Sequence, residues 1–338
     1  MEREIAETIT AVDEEEWNKV AGTHNIERSH KWYRTVEDSG MRTMYYVFLK
    51  ENGTLTAAAC CYPSQVKMYV ELPLLEVKSP LGTSQAFFSK TPEHADMLLK
   101  GLEEIRKKEK AKGILILELK RGEFTTIKNQ VKRFTNFEMR DNTYIDLNFT
   151  DFDDYLSSLD GKSRRSVRIT LNKARKRWGI KSLVTNDFST WKKVAYRLQE
   201  YTCAYHNDYK WLLTEKFYEA LEKNMKENAE LLFFFKDDIP LVFVLVLHTP
   251  EIVQYRFPGV DPQYKDYQAY FLLYYKGIKR AIEKRQKRIY FGTTTYEFKE
   301  KIGCKREELF GLVKMKNPVL DLALKSYVTV SKVQGKKF

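Results

Sequence analysis

The sequence predicts an α/β (α+β) protein with two tandem domains, each a mixed, largely antiparallel sheet flanked by helices. Three observations carry this reading. At 338 residues the chain is too long for one ordinary core and suits two. Hydrophobic residues make up 43% of it, enough for a sizeable core and too many for broad disorder. Two successive stretches also share one order of elements: helices, a meander of strands, a long helix, a buried strand, a short helix and a final strand. A local match supports duplication. Leu98-Leu99-Lys100-Gly101-Leu102 aligns with Tyr274-Tyr275-Lys276-Gly277-Ile278, each in the helix before a buried strand. The expected domains are residues 1–150 and 151–320, followed by a basic tail, 321–338. No low-complexity linker divides the halves, so a shared interface is expected.

In the first half, residues 11–38 read as helical, anchored by Trp17, Trp32 and Tyr33. Met44–Leu49 and Thr56–Cys61 read as strands around the turn Glu51-Asn52-Gly53, a hairpin signal. Gln65–Leu72 reads as a third strand, with Leu74–Val77 extending the sheet. Thr91 followed by Pro92 and Glu93 opens a helix to Lys110. The apolar run 113–119 is of buried-strand type. Ile127–Phe134 reads as a short helix and Glu138–Leu147 as a strand. In the second half, Phe152–Leu159, Phe188–Tyr205 and Thr214–Asn228 read as helices. Ile180–Val184, Glu230–Lys236, Leu241–His248 and Ile252–Phe257 read as strands. A long helix, Tyr267–Lys284, leads to a strand at Arg288–Phe291. Phe298–Ile302 falls in a short helix, and Leu309–Met315 is the closing strand.

Between the halves lies DGKSRRSVRITLNKARKRWGIK, Asp160–Lys181, read as a helix closed by Gly179. Val167, Leu171, Ala174 and Trp178 share one stripe at spacings of four, three and four. Arg164, Arg168 and Arg175 flank that stripe, whereas Arg165 and Lys176 point away from it. A row of planar guanidinium forks beside a packed edge suits phosphate. A solvated basic face is the plainer reading of the same pattern.

The charge balance agrees with an anionic partner. Lys and Arg total 58 against 46 Asp and Glu, a formal charge of +12. Aromatic residues reach 14%. No apolar run is long enough to span a bilayer, and the acidic start MEREIAETIT lacks the apolar core of a signal peptide. Cys60, Cys61, Cys203 and Cys304 show no CxxC spacing and read as reduced, buried thiols of a cytoplasmic protein. His24, His30, His94 and His248 are scattered, so no metal site is expected. GxSxG, Walker A and GxGxxG patterns are absent from the sequence.

The run from Tyr290 to Cys304, YFGTTTYEFKEKIGC, places an apolar strand ending in Gly292 before a short helix with Phe298-Lys299 and then Gly303. This resembles a segment near the end of Fem-type tandem-GNAT transferases, and the repeated element order resembles the GNAT domain written twice. Tyr155–Ile180 resembles the basic segment before that family's second domain. Gly259-Val260-Asp261 with the helix from Tyr267 resembles its binding-edge loop and helix. Three departures stand beside these likenesses. Tyr290 occupies a position that is usually acidic. Gly259 alone stands where acetyl-CoA-dependent GNAT enzymes have a Gly-rich pyrophosphate loop. Thr214–Asn228 is too short for the helical arm often found in Fem transferases.

The resemblance implies an N-acyltransferase with no tightly bound cofactor. Its co-substrate would be aminoacyl-tRNA or acyl-CoA, with the basic helix and net charge leaning toward tRNA. The second half would hold the donor through Arg164, Arg165, Arg168, Arg175 and Gly259. An amine acceptor (a small molecule, a peptide or a cell-wall precursor) would lie between the halves. Lys299 would stabilise the oxyanion or hold a phosphate, Phe298 would position the acyl group, and Tyr296 would protonate the leaving group. Asp261 and Glu297 are candidate bases. His206, in Tyr205-His206-Asn207-Asp208 between two helices, joins Asp261 and Tyr267 as a candidate substrate contact. A rival from another class is a non-catalytic nucleic-acid-binding module on a decayed fold, with bases stacking on Tyr264, Tyr267 and Tyr270 beside Lys265.

Overall fold

The structure is a computed structural model that describes residues 1–67, 70–334 and 337. It separates into two compact units, residues 1–141 with 307–338, and residues 142–306. The first unit is therefore discontinuous, where the sequence suggested two consecutive blocks divided near residue 150.

The first unit opens with β1 (Glu2–Ala6), α1 (Glu14–Ala21), α2 (His30–Ser39), β2 (Tyr45–Glu51), β3 (Thr54–Lys67), β4 (Glu71–Val77) and β5 (Phe87–Phe88). It continues with α3 (Pro92–Lys108), β6 (Gly113–Lys120), α4 (Arg121–Gln130) and β7 (Thr135–Asp146), within which the chain passes to the second unit. Local chemistry sets these elements. The Thr91 side chain accepts the His94 amide at 3.1 Å and Pro92 occupies the first turn, so α3 starts where Thr-Pro-Glu indicated. Asp13 caps α1 by accepting the Glu15 amide at 2.7 Å. β2, β3 and β4 form an antiparallel meander, and β6 then joins β4 in parallel, Leu75 opposite Ile114 to Val77 opposite Ile116. Met68 and Tyr69, the middle of the expected strand Gln65–Leu72, lie outside the described residues; β3 ends before them and β4 begins after them. Two further expectations are corrected. Residues 11–38 hold two helices and short 3-10 turns, and the short helix α4 starts at Arg121, six residues before the expected Ile127.

The second unit contains α5 (Phe152–Ser158), α6 (Gly161–Asn172), β8 (Lys181–Thr185), α7 (Phe188–His206), α8 (Glu215–Met225), β9 (Ala229–Lys236), β10 (Ile239–His248) and β11 (Ile252–Val260). There follow α9 (Ala269–Glu283), β12 (Arg288–Gly292) and α10 (Tyr296–Lys301). Its meander is β9-β10-β11, and β12 joins β11 in parallel, Ile252 opposite Arg288 to Gln254 opposite Tyr290. The end of β7 pairs antiparallel with the other edge of β12. The core of this unit lies between sheet and helices, with Val244, Val246, Val253, Leu272, Ile278 and Ile289 buried together.

The chain returns to the first unit within β13 (Lys305–Met315) and ends in α11 (Pro318–Val333). The strand expected to close the second half instead pairs with β6, from Leu309 opposite Lys120 to Met315 opposite Gly113. Burial explains the exchange. Seven of the eight residues of β6 are buried, so the strand needs a sheet partner on each edge. The expected tail 321–338 is largely helical. Leu324 is buried and packs with Leu74, Leu115, Leu117 and Val313. In the basic end, Gly335, Lys336 and Phe338 lie outside the described residues.

The matched glycines of the sequence repeat have a packing role. A Cβ on Gly101 would stand 2.6 Å from Val47, and one on Gly277 would stand 2.8 Å from the ring of Tyr255. Each glycine lets its long helix sit close on the sheet. Gly277→Ala should therefore cost about 1–3 kcal/mol through overpacking. Gly161→Ala, where a Cβ meets nothing within 4 Å, should change stability by less than about 1 kcal/mol. Urea titrations of both variants check this; equal midpoints would mean that the helix rides free of the sheet.

Candidate functional site

The parallel ladder of β11 and β12 ends after Gln254 and Tyr290, though both strands run on. Past that point β11 is bulged, with Phe257 at φ 51°, and pairs only with β10. β12 ends at Gly292 at φ 79°, a conformation that favours glycine. Thr295 at φ 55° then turns the chain into α10.

Where the ladder stops, the carbonyls of Phe291 and Gly292 need other donors. Lys299 supplies them. Its side chain reaches back from α10, and Nζ donates to Phe291 O at 2.7 Å and to Gly292 O at 3.2 Å. Thr143 Oγ1, from the end of β7, donates to Gly292 O at 2.6 Å. Lys299 is 0% exposed. The third N–H of its ammonium has no partner among the described residues. Burial lowers its pKa to about 8; Arg256 adds to the fall and Cys304 opposes it. Cys304 is itself pushed up to about 12 by burial and stays a neutral thiol.

An aromatic cluster walls this position. The ring of Phe298 lies 4.8 Å from Phe271, 5.0 Å from Tyr274 and 6.3 Å from Tyr275. The Tyr270 and Tyr274 hydroxyls are 2.7 Å apart. Tyr296 starts α10, half-buried, with the Arg306 guanidinium 4.4 Å over its ring. Glu297 is exposed and paired with Lys301, which holds its carboxyl below the usual range. That direction does not suit a general base at neutral pH.

The basic segment departs from the expected single helix. α6 is capped by Asp160, which accepts the amides of Lys162 and Ser163, and at Lys173–Arg177 it widens into a π turn closed by Trp178 N donating to Lys173 O at 3.0 Å. The packing stripe is as read: Val167 and Ala174 are buried, and Leu171 and Trp178 pack on the same core. Gly179 ends the segment at φ 62°. Arg164 is half-buried, and its Nη1 donates to Ser157 O at 3.5 Å. Arg168 lies 3.7 Å from Asp153. Arg165 and Arg175 are exposed and have no ion pair among the described residues. Trp178 meets Tyr267 edge to face at 5.7 Å; Tyr267 ends a 3-10 turn (Pro262–Tyr267), so the helix expected from Tyr267 begins at Ala269. Nearby on α9, Lys276 has its pKa lowered by burial and by the charges of Lys279 and Arg175.

Other candidates fall elsewhere. Gly259 lies within β11 and not in an open loop. A Cβ there would stand 2.4 Å from Gln199 N and from Phe243, so this glycine admits α7 to the sheet and leaves no cradle for a phosphate. Asp261 caps a 3-10 turn, accepting the Gln263 amide at 3.0 Å. His206 is the exposed last residue of α7, against Tyr205. Sequence reasoning missed Thr143, Arg256 and Tyr274, and named Tyr270 only as a ring for stacking bases. An arginine inside the apolar strand around Tyr255 was the available signal for Arg256. Thr143 belongs to β7, distant in sequence, and gave none. Among the described residues no His, Cys, Asp and Glu cluster could hold a metal ion, and no helix is long and apolar enough to cross a membrane.

Lys299 links this site to stability. Its folded pKa, about 8, lies below the ~10.4 of an exposed lysine, so the unfolded chain binds more protons between those values. The stability of the wild type relative to Lys299→Met should therefore rise as pH increases from 8 to 10. Chemical denaturation at four pH values reads this difference. A flat or falling difference would mean that the ammonium is solvated.

Solved structures share the fold at low identity. FemX has a TM-score of 0.65 at 17% identity, over 96% of this chain and 100% of that one. A tandem GNAT protein from the clavulanic acid biosynthesis pathway has 0.57 at 10%, over 94% and 99%. L-PGS from Bacillus licheniformis has 0.55 at 13%, over 87% and 91%. No curated protein matches the sequence. The fold is that of tandem GNAT proteins. The profile of the FemAB-like family, described as peptidoglycan biosynthesis/recognition, matches residues 78–337. With more than half of its length matched, the chain belongs to the FemAB-like family.

Proposed function

We propose that this protein is an N-acyltransferase that moves an acyl or aminoacyl group from a phosphate-bearing donor to an amine. The observation that carries the reading is Lys299, a fully buried ammonium fixed by two carbonyls with one donor to spare. The amine nitrogen attacks the acyl carbonyl carbon, the carbonyl oxygen gathers negative charge, and the C–O or C–S bond to the leaving group breaks. The amine loses a proton and the leaving group gains one. A preorganised N–H in a water-poor pocket serves the developing oxyanion best. The aromatic wall of Phe298, Phe271 and Tyr274 suits the acyl chain. A phosphate dianion would have to shed its water to reach a buried amine, so the oxyanion role is preferred to the phosphate role for Lys299.

The exposed guanidiniums of Arg165 and Arg175, with Arg164 and Arg168 on the same segment, suit the donor's phosphates. Aminoacyl-tRNA matches this exposed basic face better than a CoA thioester, since Gly259 offers no backbone cradle for a pyrophosphate. The family description points to a cell-wall precursor as the amine acceptor.

Mass spectrometry of candidate amines incubated with aminoacyl-tRNA or acyl-CoA tests the reading. Acyl transfer from neither donor would overturn it. With the active donor, Lys299→Met should lower kcat about a hundredfold or more and leave donor affinity nearly unchanged. A fall in affinity at unchanged kcat would return Lys299 to phosphate binding. Reversing charge in Arg164→Glu/Arg168→Glu should raise the donor KM about tenfold and flatten its salt dependence, with melting temperature nearly kept. Lost stability at unchanged KM would make these arginines structural.

A further inference from the structure

We propose that the first unit carries a ligand site of its own, a pocket for a small monocarboxylate with an apolar body, gripped by Arg28 and Lys90. The cavity has a volume of about 390 Å³ and is walled by Val20, Phe87, Phe88 and Ile127 on its apolar side. All its lining residues belong to the first unit, whereas Lys299 belongs to the second.

The polar lining decides the ligand class. Its one carboxylate is already paired. The two Glu123 oxygens take Arg28 Nη2 and, at 3.0 Å, the Lys120 amide. The hydroxyls of Thr56, Ser89 and Thr126 donate to the carbonyls of Leu49, Thr91 and Gly122. Gln85 Oε1 accepts the Phe87 amide, which leaves its Nε2 turned to other partners. Donors remain in surplus. Arg28 is 5% exposed, yet among the described residues only its Nη2 has a hydrogen-bond partner, and its buried Nε has none. Lys90 is exposed at the rim with no ion pair among the described residues. Two cations face one carboxylate, so the pocket has room for one negative charge. A guanidinium fork takes a carboxylate with matched geometry, and a buried N–H without an acceptor is costly until one arrives. An ammonium would meet two cations whose one carboxylate is already paired, and a doubly charged phosphate would exceed the charge present. The carboxylate could belong to a free acid or to the end of a peptide; both present the same chemistry.

Isothermal titration of the full chain tests this with two probes, phenylacetate and N-acetylphenylalanine, each beside its primary amide. At least one acid should bind tenfold or more tighter than its amide, and the preferred probe tells a free acid from a peptide terminus. Lys90→Glu, on the exposed rim, should weaken that binding at least tenfold, and Arg28→Gln should abolish it. Should Arg28→Gln fail to fold, Lys90→Glu decides. Lys299→Met should bind the acid as the wild type does. Acids that bind no tighter than their amides, or acid binding unchanged in Lys90→Glu, would overturn the proposal.

Discussion

The second unit turns on one ammonium placed where a β-ladder gives out. Parallel strands satisfy each other's backbone only while they stay adjacent. After Gln254 and Tyr290 the ladder ends, and the carbonyls of Phe291 and Gly292 pass to Lys299 and Thr143. The backbone therefore fixes the lysine, and the lysine closes the backbone. A buried charge held this way costs desolvation, which its lowered pKa records. Such a cost is tolerated when the surroundings orient the group for a task, and groups with perturbed pKa values gather at functional sites for that reason.

The first unit meets the same problem with a different answer. Its parallel ladder, β4 with β6, also spans three pairs. Beyond it, β6 bulges against β13, Glu118 sits at φ 60°, and its carboxylate accepts from Lys78 Nζ at 2.8 Å, both side chains being buried. Gly311 faces the bulge; a Cβ there would stand 2.3 Å from the Phe137 ring. Here the charges neutralise each other, whereas in the second unit the ammonium is held by carbonyl dipoles, with a pKa lowered to about 8. One duplicated architecture thus carries a self-contained ion pair in one copy and an ammonium with a spare donor in the other.

Much of this was legible in the sequence because it rests on local chemistry. The caps of α3 and the stripe Val167-Leu171-Ala174-Trp178 follow from residue type and spacing, and so does the glycine that ends the basic segment. The element order showed the duplication, and the Phe-Lys pair after Gly292 marked the lysine. What escaped depends on contacts between distant residues. The loss of β13 to the first unit comes from the second edge of β6, which no local pattern declares. The apolar positions of α11 were hidden in a stretch that reads as basic at its end. Gly259 was expected in a loop through its resemblance to the family's binding-edge segment, but it lies inside a strand against which α7 packs closely. The π turn at Lys173–Arg177 fits an extra residue into the helix while Ala174 and Trp178 stay on the core, a shift that residue spacing alone does not predict.

On the proposed reading, binding charge and reacting charge are separated in the second unit, and their surroundings differ. The guanidiniums of Arg165 and Arg175 stand in water, where a phosphate contact is strong only when several act together and weakens as salt screens it. Lys299 sits behind protein, where one N–H acts at low effective dielectric and salt does not reach it. A large polyanionic donor needs the first kind of contact, because many weak, exchangeable grips allow release after turnover. A single carbonyl oxygen gaining charge needs the second, because only a fixed donor favours the transition state over the bound substrate. The rings of Trp178 and Tyr267 are in contact, one on the basic segment and the other at the end of the 3-10 turn that precedes α9, the helix whose Tyr274 packs on Phe298. On the proposed reading, that aromatic path would let the donor's anionic part and its acyl carbon be held by one set of elements, which is the condition for binding energy spent on phosphates to orient a carbonyl beside Lys299.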